Sequence, residues 1–387
     1  MVDIVGIDKI SFYIPNSFLD LQDLAEKRNV EKDKYYIGIG QEKMAVLPLC
    51  EDTITMGACA GNNILTEEDK DKIGLLIFCT ESGVDQSKSG GIFIHNLLGL
   101  KKQCRIIELK EACYSSTAGL RFALDYVRIN PNKKVLLIAS DNARYGLNTS
   151  GEPTQGCGAV AMIISQNPSI IEFDNASGYY TDDIMDFWRP NYKDEALVDG
   201  KYSTKVYLVN MLKAWEEYKA VSNRKLEDHY KICYHIPFCK MAEKAHKLLC
   251  DNEKSEINNN FETINYYNKN IGNCYTASLY VLFSCLLDKM QNLENKRIGF
   301  FAYGSGCVAE FFSGVIQKDY TKNLKTNIHD KLLTNRTRLN YYEYEDLYLK
   351  NQKINKCGDD IDIIPTSKSQ FIFCGIKCNK RIYQKQF

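Results

Sequence analysis

Cys113 is the residue of this sequence whose surroundings best suit covalent chemistry. It follows a short apolar run at residues 104–109, which predicts a strand, and precedes an apolar segment at residues 114–129, which predicts a helix. At such a strand-to-helix turn, backbone N–H groups and the positive helix end stabilise a thiolate and could bind the oxyanion of a thioester under attack. On this local pattern alone, a cysteine beside Ala and Ser is more often an unreactive packed side chain.

Two residues with acid–base side chains also follow predicted strands. Glu81 comes after the apolar run at residues 72–79, at the edge where open α/β sheets place their sites. His235 ends the predicted strand at residues 228–235, just before Pro237. Taken singly, Glu81 is better explained as a surface carboxylate and His235 as a satisfied core or loop residue. The remaining histidines have no neighbouring motif and are predicted to be structural or surface residues: His95, His229, His246 and His329.

The composition is that of a globular chain without a bulk charge. Its 387 residues, 44% of them apolar and 25% charged, suit two domains of about 150 residues each. Lys plus Arg and Asp plus Glu both total 49, so the formal net charge is zero. This balance argues against binding to nucleic acid or to an anionic membrane through bulk charge. No stretch approaches the roughly 20 apolar residues that span a bilayer, and the first residues show no secretory signal. We therefore expect a cytoplasmic protein with neither a nucleic-acid nor a membrane partner.

Fifteen cysteines are scattered along the chain, and no two form a CxxC pair. This pattern gives no support to a zinc ribbon or a thioredoxin motif, and no metal site is predicted. Most of the thiols are expected to be small buried hydrophobes in a reducing cytosol. A reactive cysteine must therefore be recognised by its surroundings.

Predicted strands and helices alternate along the chain, which is typical of an α/β fold with a largely buried sheet. The other predicted strands lie at residues 134–139, 158–164 and 297–303, with another apolar run at 307–316. The other predicted helices lie at residues 52–64, 88–98, 238–249 and 275–287. A weak echo between QGCGAVAM and GSGCVAEF hints at two related halves.

The segment ELKEACYSSTAGL around Cys113 resembles the nucleophile motif of 3-hydroxy-3-methylglutaryl-CoA (HMG-CoA) synthases. Further blocks similar to that family follow in order over roughly residues 2–320, and NRTRL at residues 335–339 continues the likeness. They are VGIDKISFYIP, YYIGIGQEKMAV, CTESGVDQSK with IHNLLG, ARYGLNTSGEPTQGCGAVAM, DIMDFWRP, HIPFCKMAEKAH, GNCYTASLY and YGSGCVAEFFSG. Several independent motifs in one order make this resemblance far more specific than a lone cysteine.

The resemblance implies a thiolase-like five-layer αβαβα fold built from two related halves. Residues 1–165 would form the N-terminal half with Glu81 and Cys113, and residues 166–387 the C-terminal half with His235 and the CoA-contacting residues. Members of the family are dimers, so a homodimer is expected. No cofactor is expected, because the substrates are CoA thioesters, which already acidify the neighbouring carbon.

The resemblance also assigns roles to residues. Cys113 in EACYS is the acylated nucleophile, Glu81 in TESG the general base and acid, and His235 in YHIPF the acceptor-side acid and hydrogen-bond donor. Acetyl-CoA would acylate Cys113, and Glu81 would then form an enolate that attacks acetoacetyl-CoA, before water releases HMG-CoA for the mevalonate pathway. Substrate contacts are implied for a set of matching positions: Tyr145, Gly146, Thr154, Ser203, Lys240, Lys244, Asn273 and Ser305.

Two of these contacts have a local explanation as well. Lys240 and Lys244 are one helical turn apart and can face one anionic group, although Lys240 is equally well explained as a solvated lysine. Gly304 and Gly306 flank Ser305 and would let a ligand approach the backbone closely. By contrast, DFWRP contributes Asp186 and Trp188, which we assign to packing and support.

Three other functions remain open. CTESGVDQSKS and GYYTDDIMD are also similar to polyketide β-branching synthases, which use the same trio on acyl groups held by an acyl carrier protein. A second alternative is a ketoacyl synthase, which would need Cys–His–Asn or paired-His chemistry; the presence of Glu81 argues against it. A third is a non-catalytic acyl-CoA-binding scaffold, which would not need an intact trio of Cys113, Glu81 and His235. ARYGLNTSGEPTQG and the VDG segment favour the mevalonate-pathway enzyme, while the chain after about Leu339 shows little likeness to the family.

Overall fold

The apolar runs that predict strands come together in one nine-stranded sheet, accompanied by three smaller sheets. The computed structural model describes residues 4–356 and 358–386. Its strands are β1 (Val5–Tyr13), β2 (Ser17–Asp20), β3 (Lys43–Val46), β4 (Ile73–Cys79), β5 (Arg105–Leu109), β6 (Lys134–Asn142), β7 (Cys157–Gln166), β8 (Ile171–Thr181), β9 (Phe187–Trp188), β10 (Leu197–Val198), β11 (Lys231–Tyr234), β12 (Arg297–Gly304), β13 (Val308–Ile316), β14 (Thr337–Leu339), β15 (Ile361–Asp362), β16 (Phe371–Lys377) and β17 (Lys380–Lys385).

The helices pack on the faces of the large sheet and form most of the connections between its strands. They are α1 (Leu21–Arg28), α2 (Asp33–Tyr36), α3 (Thr53–Asn62), α4 (Glu67–Lys72), α5 (Gly90–Leu98), α6 (Ser115–Ile129), α7 (Gly200–Ser222), α8 (Cys239–Glu253), α9 (Phe261–Ile264), α10 (Tyr266–Ile271), α11 (Ser278–Lys289), α12 (Thr326–Thr334) and α13 (Tyr341–Lys356). Short 3₁₀ turns occupy Glu152–Thr154, Leu226–Asp228, Tyr275–Ala277 and Tyr320–Asn323. Among the described residues, no helix is long and apolar enough to cross a membrane.

Two predicted elements begin three residues later than expected, and both differences affect the candidate site. The strand predicted at 228–235 begins only at Lys231, after a 3₁₀ turn, and ends at Tyr234, so that His235 lies just beyond it. The helix predicted at 275–287 begins at Ser278, because Tyr275 has a positive φ of 43° and its segment forms a 3₁₀ turn. His235 and Tyr275 therefore lie in connections at the ends of regular elements.

The large sheet contains two sets of strands with the same order and directions, which confirms two related halves. In the first half, β4 runs parallel to β6, β6 antiparallel to β7, and β7 antiparallel to β1. In the second half, β11, β12, β13 and β8 repeat those relations in the same order, while β5 extends only the first half. The halves meet in a short antiparallel ladder between β1 and β8. A Cβ atom on Gly6 would lie 1.8 Å from the Ile171 carbonyl oxygen, so this junction requires glycine.

Helices lie on both faces of each half, which gives the predicted five layers. In β6, Ile138 packs towards Gly57 of α3, whereas its neighbour Leu137 packs towards Gly119 of α6. In β12, Phe300 contacts Phe283 of α11, and the next residue contacts Tyr207 of α7. Adjacent strand residues point to opposite faces of a sheet, so α3 and α6, like α11 and α7, lie on opposite sides.

The central layer is formed by α6 and α11. Ser116 Oγ donates to the Thr276 carbonyl at 2.6 Å, and the hydroxyls of Thr117 and Tyr280 lie 2.9 Å apart. These contacts bring the first turn of the helix that follows Cys113 against the second half of the chain. The division of the sequence into residues 1–165 and 166–387 stays a prediction.

The C-terminal hairpin, β16 and β17, packs on the start of α3. Asp52 caps α3 with its Oδ1, which accepts from the Ile54 and Thr55 amides at 2.9 and 3.1 Å. Its Oδ2 accepts from Arg381 Nη2 at 2.9 Å and from the Tyr383 hydroxyl at 2.6 Å. One carboxylate therefore serves as the helix cap and as the anchor of the last two strands.

We predict that Asp52→Ala lowers the free energy of unfolding by about 3 kcal/mol, because it removes the helix cap and leaves the Arg381 charge without its partner. Urea denaturation followed by circular dichroism measures the change. Asp23→Ala is the matched control, since Asp23 pairs with the exposed side chain of Arg338 and such a pair contributes at most about 1 kcal/mol. Equal losses in the two variants would contradict the anchoring role of Asp52.

Candidate active site

Cys113 lies in a tight connection between β5 and α6, as its sequence context predicts. Its neighbour Ala112 has a φ of 39°, which is uncommon for a residue with a side chain and typical of strained functional turns. The Tyr114 amide donates to the Glu111 carbonyl at 3.0 Å and closes the turn. The side chain of Cys113 is partly buried, so the thiol is presented at the edge of the sheet.

The turn that carries Ser305 packs directly against this connection. A Cβ atom on Gly304 would lie 2.6 Å from the Glu111 carbonyl oxygen and 2.7 Å from Tyr114 Cβ. Gly304 therefore allows the turn to approach the Cys113 connection closely, and the approach of a ligand to this turn stays a prediction. Ser305 itself is partly buried beside this connection.

Glu81 is in direct contact with Cys113. The thiol donates to Glu81 Oε1 over 3.2 Å, and the glutamate side chain is only 6% exposed. Burial raises the pKa of Glu81 to about 8, and the negative charge of Asp141 acts in the same direction. Arg189 opposes this rise, with its Nη2 4.0 Å from Glu81 Oε2 and donating to the Glu81 carbonyl. The pair therefore contains a carboxyl group that can accept a proton near neutral pH.

The thiol of Cys113 is its resting form. Burial raises the pKa of Cys113 well above that of an ordinary thiol, and the charge and hydrogen bonding of Glu81 add to the rise. The expected stabilisation of a thiolate by the start of α6 is outweighed, because burial and nearby carboxylates both disfavour a second negative charge. A neighbouring base must therefore take the proton when Cys113 reacts.

Asp141, at the end of β6, fixes the backbone of Glu81. Its Oδ1 accepts from the Thr80 hydroxyl at 2.8 Å and from the amides of Glu81 and Ser82, both at 2.9 Å. Its Oδ2 accepts from the amide and hydroxyl of Thr276 at 3.1 and 2.5 Å. Burial raises the pKa of Asp141, while its five donors favour the charged carboxylate.

Aromatic rings enclose the thiol on another side. Tyr145 and Tyr275 form a buried apolar cluster, against which Cys113 and Phe187 pack. The three rings meet edge to face, with centroids 5.7 to 6.3 Å apart. This is the geometry that aromatic side chains prefer, and it gives the pocket a defined apolar wall next to the reactive pair.

Ser203 and the Ser305 turn are joined through Asp186. Asp186 is fully buried; its Oδ2 accepts from the Ser203 hydroxyl at 2.9 Å and the Tyr303 hydroxyl at 3.0 Å. Its Oδ1 accepts from the Gly306 amide at 3.0 Å. The supporting role expected of Asp186 is thus visible in the structure, since it ties the start of α7 to the turn beside Cys113.

Thr154 and Asn273 lie together, and the Thr154 side chain hydrogen-bonds the Tyr145 hydroxyl. The Asn273 amide donates to the Thr154 carbonyl at 3.0 Å. The side-chain oxygen of Asn273 accepts from the Tyr275 amide at 2.8 Å, which stabilises the 3₁₀ turn. Gly146 begins the loop that separates Tyr145 from Thr154, and its carbonyl accepts from the Thr149 hydroxyl at 2.6 Å.

No hydrogen bond or ion pair joins His235 to Glu81 or Cys113, the other two members of the predicted trio, in the described structure. His235 is 3% exposed, and its Nδ1 is buried without a hydrogen-bond partner. Its carbonyl accepts from the Tyr207 hydroxyl at 2.7 Å, and the Tyr207 ring packs on Tyr303. Burial lowers the pKa of His235 to about 3, so the imidazole is neutral at physiological pH.

The two predicted CoA lysines differ in their surroundings. Lys240 Nζ pairs with Glu243 Oε2 at 2.5 Å on the same helix, α8. Lys244, one turn further on, is exposed. The structure therefore keeps Lys244 available to an anion, whereas Lys240 already has an anionic partner.

A polar cleft of about 1040 Å³ opens onto Glu81 from the side of β5. Ala112, Phe187 and Arg189 also line it. Among residues 4–356 and 358–386, no group of three or more His, Cys, Asp and Glu side chains is arranged to hold a metal ion. That the reaction needs neither metal nor cofactor stays a prediction.

Two polar residues of the site, Asp141 and Arg189, were not predicted from the sequence. Asp141 ends the apolar run KVLLIASD, and a carboxylate at the end of a buried strand is a signal for a site residue. Arg189 stands within the block DFWRP, next to residues assigned only to support. No local pattern shows that its guanidinium reaches Glu81.

The five-layer fold with a cysteine and a buried glutamate in contact at its centre defines a thiolase-like, acyl-transferring condensing enzyme. Two family models cover nearly the whole chain: hydroxymethylglutaryl-coenzyme A synthase N terminal over residues 2–169, and the corresponding C terminal over residues 171–265 and 246–359. The chain belongs to the hydroxymethylglutaryl-CoA synthase family.

Curated relatives and solved structures agree with this family. The hydroxymethylglutaryl-CoA synthase of Enterococcus faecalis is 42% identical, over 89% of this chain and 91% of that protein. The polyketide biosynthesis 3-hydroxy-3-methylglutaryl-ACP synthase of Bacillus subtilis is 35% identical, over 89% and 87%. A crystal structure of HMG-CoA synthase complexed with CoA superposes with a TM-score of 0.94 at 39% identity, covering 99% of this chain and all of that one.

We predict that Glu81→Gln accelerates the alkylation of Cys113 by iodoacetamide at pH 9. At that pH the Glu81 carboxyl, with its pKa of about 8, is charged and raises the pKa of the thiol. Each unit by which the pKa of Cys113 then falls increases the thiolate fraction about tenfold. Peptide mass spectrometry over time gives the rate at this one cysteine.

Glu111→Gln is the control, because it neutralises a carboxyl group of the same connection that does not bond the thiol. Faster alkylation in Glu81→Gln alone is the expected result. Slower alkylation of Cys113 in Glu81→Gln would contradict this prediction and would show that Glu81 speeds the reaction by accepting the thiol proton.

Proposed function

We propose that this protein condenses acetyl-CoA with acetoacetyl-CoA and water to give HMG-CoA and CoA. The observation that carries the proposal is the hydrogen bond from the Cys113 thiol to the buried Glu81 carboxyl. The family, and the similarity to a structure solved with 3-hydroxy-3-methylglutaryl-CoA, at 34% identity and a TM-score of 0.88, support this choice of substrates.

In the first step Cys113 takes the acetyl group from acetyl-CoA. Glu81 accepts the thiol proton, sulfur attacks the thioester carbonyl, and the departing CoA thiolate regains a proton from Glu81. The raised pKa of Glu81 suits both transfers, because a group with a pKa of about 8 can accept and return a proton near neutral pH.

In the second step the acetyl group becomes the carbon nucleophile. Glu81 removes a proton from the methyl group of acetyl-Cys113, and the enolate attacks the β-carbonyl of acetoacetyl-CoA. His235 polarises that carbonyl as a neutral hydrogen-bond donor, because its low pKa excludes the imidazolium form. Glu81 then returns that proton to the alkoxide formed at the β-carbon, which becomes the new hydroxyl group and leaves Glu81 free to act as a base again.

In the third step water cleaves the thioester between the product and Cys113. Glu81 accepts a proton from the water, the C–S bond breaks, and the sulfur of Cys113 recovers that proton. Lys244, exposed on α8, is proposed to hold a phosphate of CoA through its charge, and Lys240 must leave Glu243 to do the same. Tyr145, Gly146, Thr154, Ser203, Asn273 and Ser305 are proposed to line the acyl pocket.

We further propose that the product enters the mevalonate pathway and that the protein works in the cytoplasm. The 42% identity to a bacterial hydroxymethylglutaryl-CoA synthase supports the first proposal. The second is supported by the free thiols of the fourteen cysteines in the described part of the chain, since cytosolic proteins keep their thiols reduced.

A homodimer through β5 is also proposed. At one edge of the large sheet, Asn259 covers β11, accepting from the Ile232 amide at 2.8 Å and donating to its carbonyl at 2.7 Å. At the other edge, Ile107 of β5 is 50% exposed. An uncovered apolar edge strand favours pairing with another chain, and a second copy would close the contact by two-fold symmetry.

The function is tested by separating its half-reactions. We expect acetyl-CoA alone to leave an acetyl group on Cys113, mapped by peptide mass spectrometry, and added acetoacetyl-CoA to give HMG-CoA. Cys113→Ala removes both activities, whereas Cys104→Ala retains them. His235→Ala is acetylated normally but condenses about 10² to 10⁴ times more slowly, the usual loss for a missing acid–base group.

Failure of wild-type acetylation, or full activity in Cys113→Ala, would overturn the proposal. An acetyl-enzyme that ignores acetoacetyl-CoA and reacts only with acetoacetyl on an acyl carrier protein would instead identify a polyketide β-branching synthase. The 35% identity to the Bacillus subtilis ACP synthase makes that the second candidate.

The dimer is tested with Ile107→Lys, which places a charge on the proposed pairing edge. We expect the wild type to sediment as a dimer in analytical ultracentrifugation and Ile107→Lys as a folded monomer. Ile364→Lys serves as control, because Ile364 is 81% exposed elsewhere on the surface. A dimer that persists in Ile107→Lys would place the contact on another surface.

A further inference from the structure

We propose that Tyr344 and Tyr348 of α13 are positioning residues for the acyl pocket. Tyr348 binds the carbonyl of Tyr145 beside Cys113, and Tyr344 binds Gln155, which in turn binds the Tyr145 amide. The inference deepens the proposed function and rests on it for the identity of the acyl donor. It concerns a helix that the C-terminal family model covers, although the sequence motifs gave none of its residues a role. Four observations support it.

The first observation is a buried tyrosine face on α13. Tyr341, Tyr344 and Tyr348 are spaced by three and four residues and therefore share one side of the helix. All three are buried in a cluster with Leu21, Leu24 and Met44. Tyr342, on another side of the helix, is exposed. A buried tyrosine hydroxyl needs a hydrogen-bond partner, so the partners of these hydroxyls show which residues the buried face of α13 holds in place.

The second observation is that one of these hydroxyls bonds Tyr145 directly and another is linked to it through Gln155. Tyr348 donates to the Tyr145 carbonyl at 2.6 Å. Gln155 donates through Nε2 to the Tyr344 hydroxyl at 2.8 Å, and its Oε1 accepts from the Tyr145 amide at 2.8 Å. Tyr145 lies after the end of β6, so side chains hold backbone groups that a strand neighbour would otherwise bind.

The third observation links the same helix to the neighbouring ring of the pocket. The Arg144 guanidinium lies 4.1 Å from the centre of the Tyr348 ring and donates to the Tyr348 carbonyl at 3.3 Å. The Arg144 amide donates to the Tyr275 hydroxyl at 3.2 Å. The residue before Tyr145 thus connects α13 with Tyr275, a second aromatic wall of the thiol pocket.

The fourth observation is the place of the Tyr145 ring. It packs in the cluster that contacts Cys113. Burial raises the pKa of its hydroxyl, and Cys113 and Glu81 add to the rise electrostatically. A displacement of about 1 Å near reacting groups can cost on the order of 10²-fold in rate. Loss of a hydroxyl on α13 should therefore reduce reaction at Cys113 more than it disturbs the fold.

Tyr341 supplies a matched control within the same face. Its hydroxyl is also buried, accepting from Arg28 at 2.9 Å and donating to Glu345 at 2.8 Å. Neither partner contacts Tyr145 in the described structure. Tyr341→Phe therefore removes an equivalent hydroxyl from the same helix without releasing the backbone of Tyr145.

The experiment compares Tyr344→Phe, Tyr348→Phe and Tyr341→Phe in the full chain. We expect Tyr348→Phe to slow single-turnover acetylation of Cys113 about tenfold, well within the loss that misplacement allows. The KM for acetyl-CoA and the thermal midpoint should match those of Tyr341→Phe. In a Tyr145→Ala background the effect of Tyr348→Phe should disappear, because no ring is left to position. Tyr344→Phe should show a smaller loss, since Gln155 stands between Tyr344 and Tyr145.

The proposal is overturned if Tyr348→Phe is no slower than Tyr341→Phe, or if its penalty persists undiminished in Tyr145→Ala. Alkylation of Cys113 by iodoacetamide gives a second readout that needs no substrate. If wild type is not acetylated, the proposed function fails. A change in alkylation rate in Tyr348→Phe and not in Tyr341→Phe would still establish the positioning role, whereas equal rates would refute it.

Discussion

The carboxylate of Asp141 is enclosed by protein and satisfied by five hydrogen-bond donors. A buried charge costs several kcal/mol unless such donors replace its water. Three of the donors come from the segment that follows β4, and two come from Thr276 in the second half of the chain. Removing either set would leave the charge under-solvated, so the facing loops of the two halves are held in one arrangement. The backbone of Glu81 is part of that arrangement.

The same charge adds to the effect of burial on the reactive pair. Burial raises the pKa values of Glu81 and Cys113, and the charge of Asp141 raises both further. A raised pKa does not itself distinguish Cys113, because burial raises the pKa of Cys79, Cys157 and Cys233 as well. Contact with a carboxyl group that can accept its proton does distinguish it. The reactive thiol is therefore defined by its partner, and not by an unusually acidic sulfhydryl group.

Most of the large sheet, and the strand-to-helix turn at Cys113, can be predicted from local sequence, because apolar runs and their flanking residues report local conformation. Family blocks are needed to select Glu81 and His235, whose local patterns are those of ordinary residues. Asp141 contacts Glu81 and Thr276, which are 60 and 135 residues away in the sequence. The spacing of residues along the chain does not predict contacts over such separations. Arg189 is likewise 108 residues from Glu81. The same holds for α13, since a tyrosine stripe predicts a buried face and says nothing of what that face binds.

Two C-terminal segments, the β16–β17 hairpin and helix α13, pack against the residues that surround Glu81 and Cys113. The last hairpin is anchored on Asp52 at the start of α3, and the Thr53 hydroxyl donates to the Ser82 carbonyl at 3.4 Å, next to Glu81. Helix α13 lines the same cleft as the hairpin and holds Tyr145 through the bond from Tyr348 to its carbonyl. Both segments follow residue 340 in sequence, yet both pack on residues before 165. The pocket around Cys113 is consequently completed by α13 and the β16–β17 hairpin. Its geometry therefore depends on both halves, although Cys113 and Glu81 lie in the first.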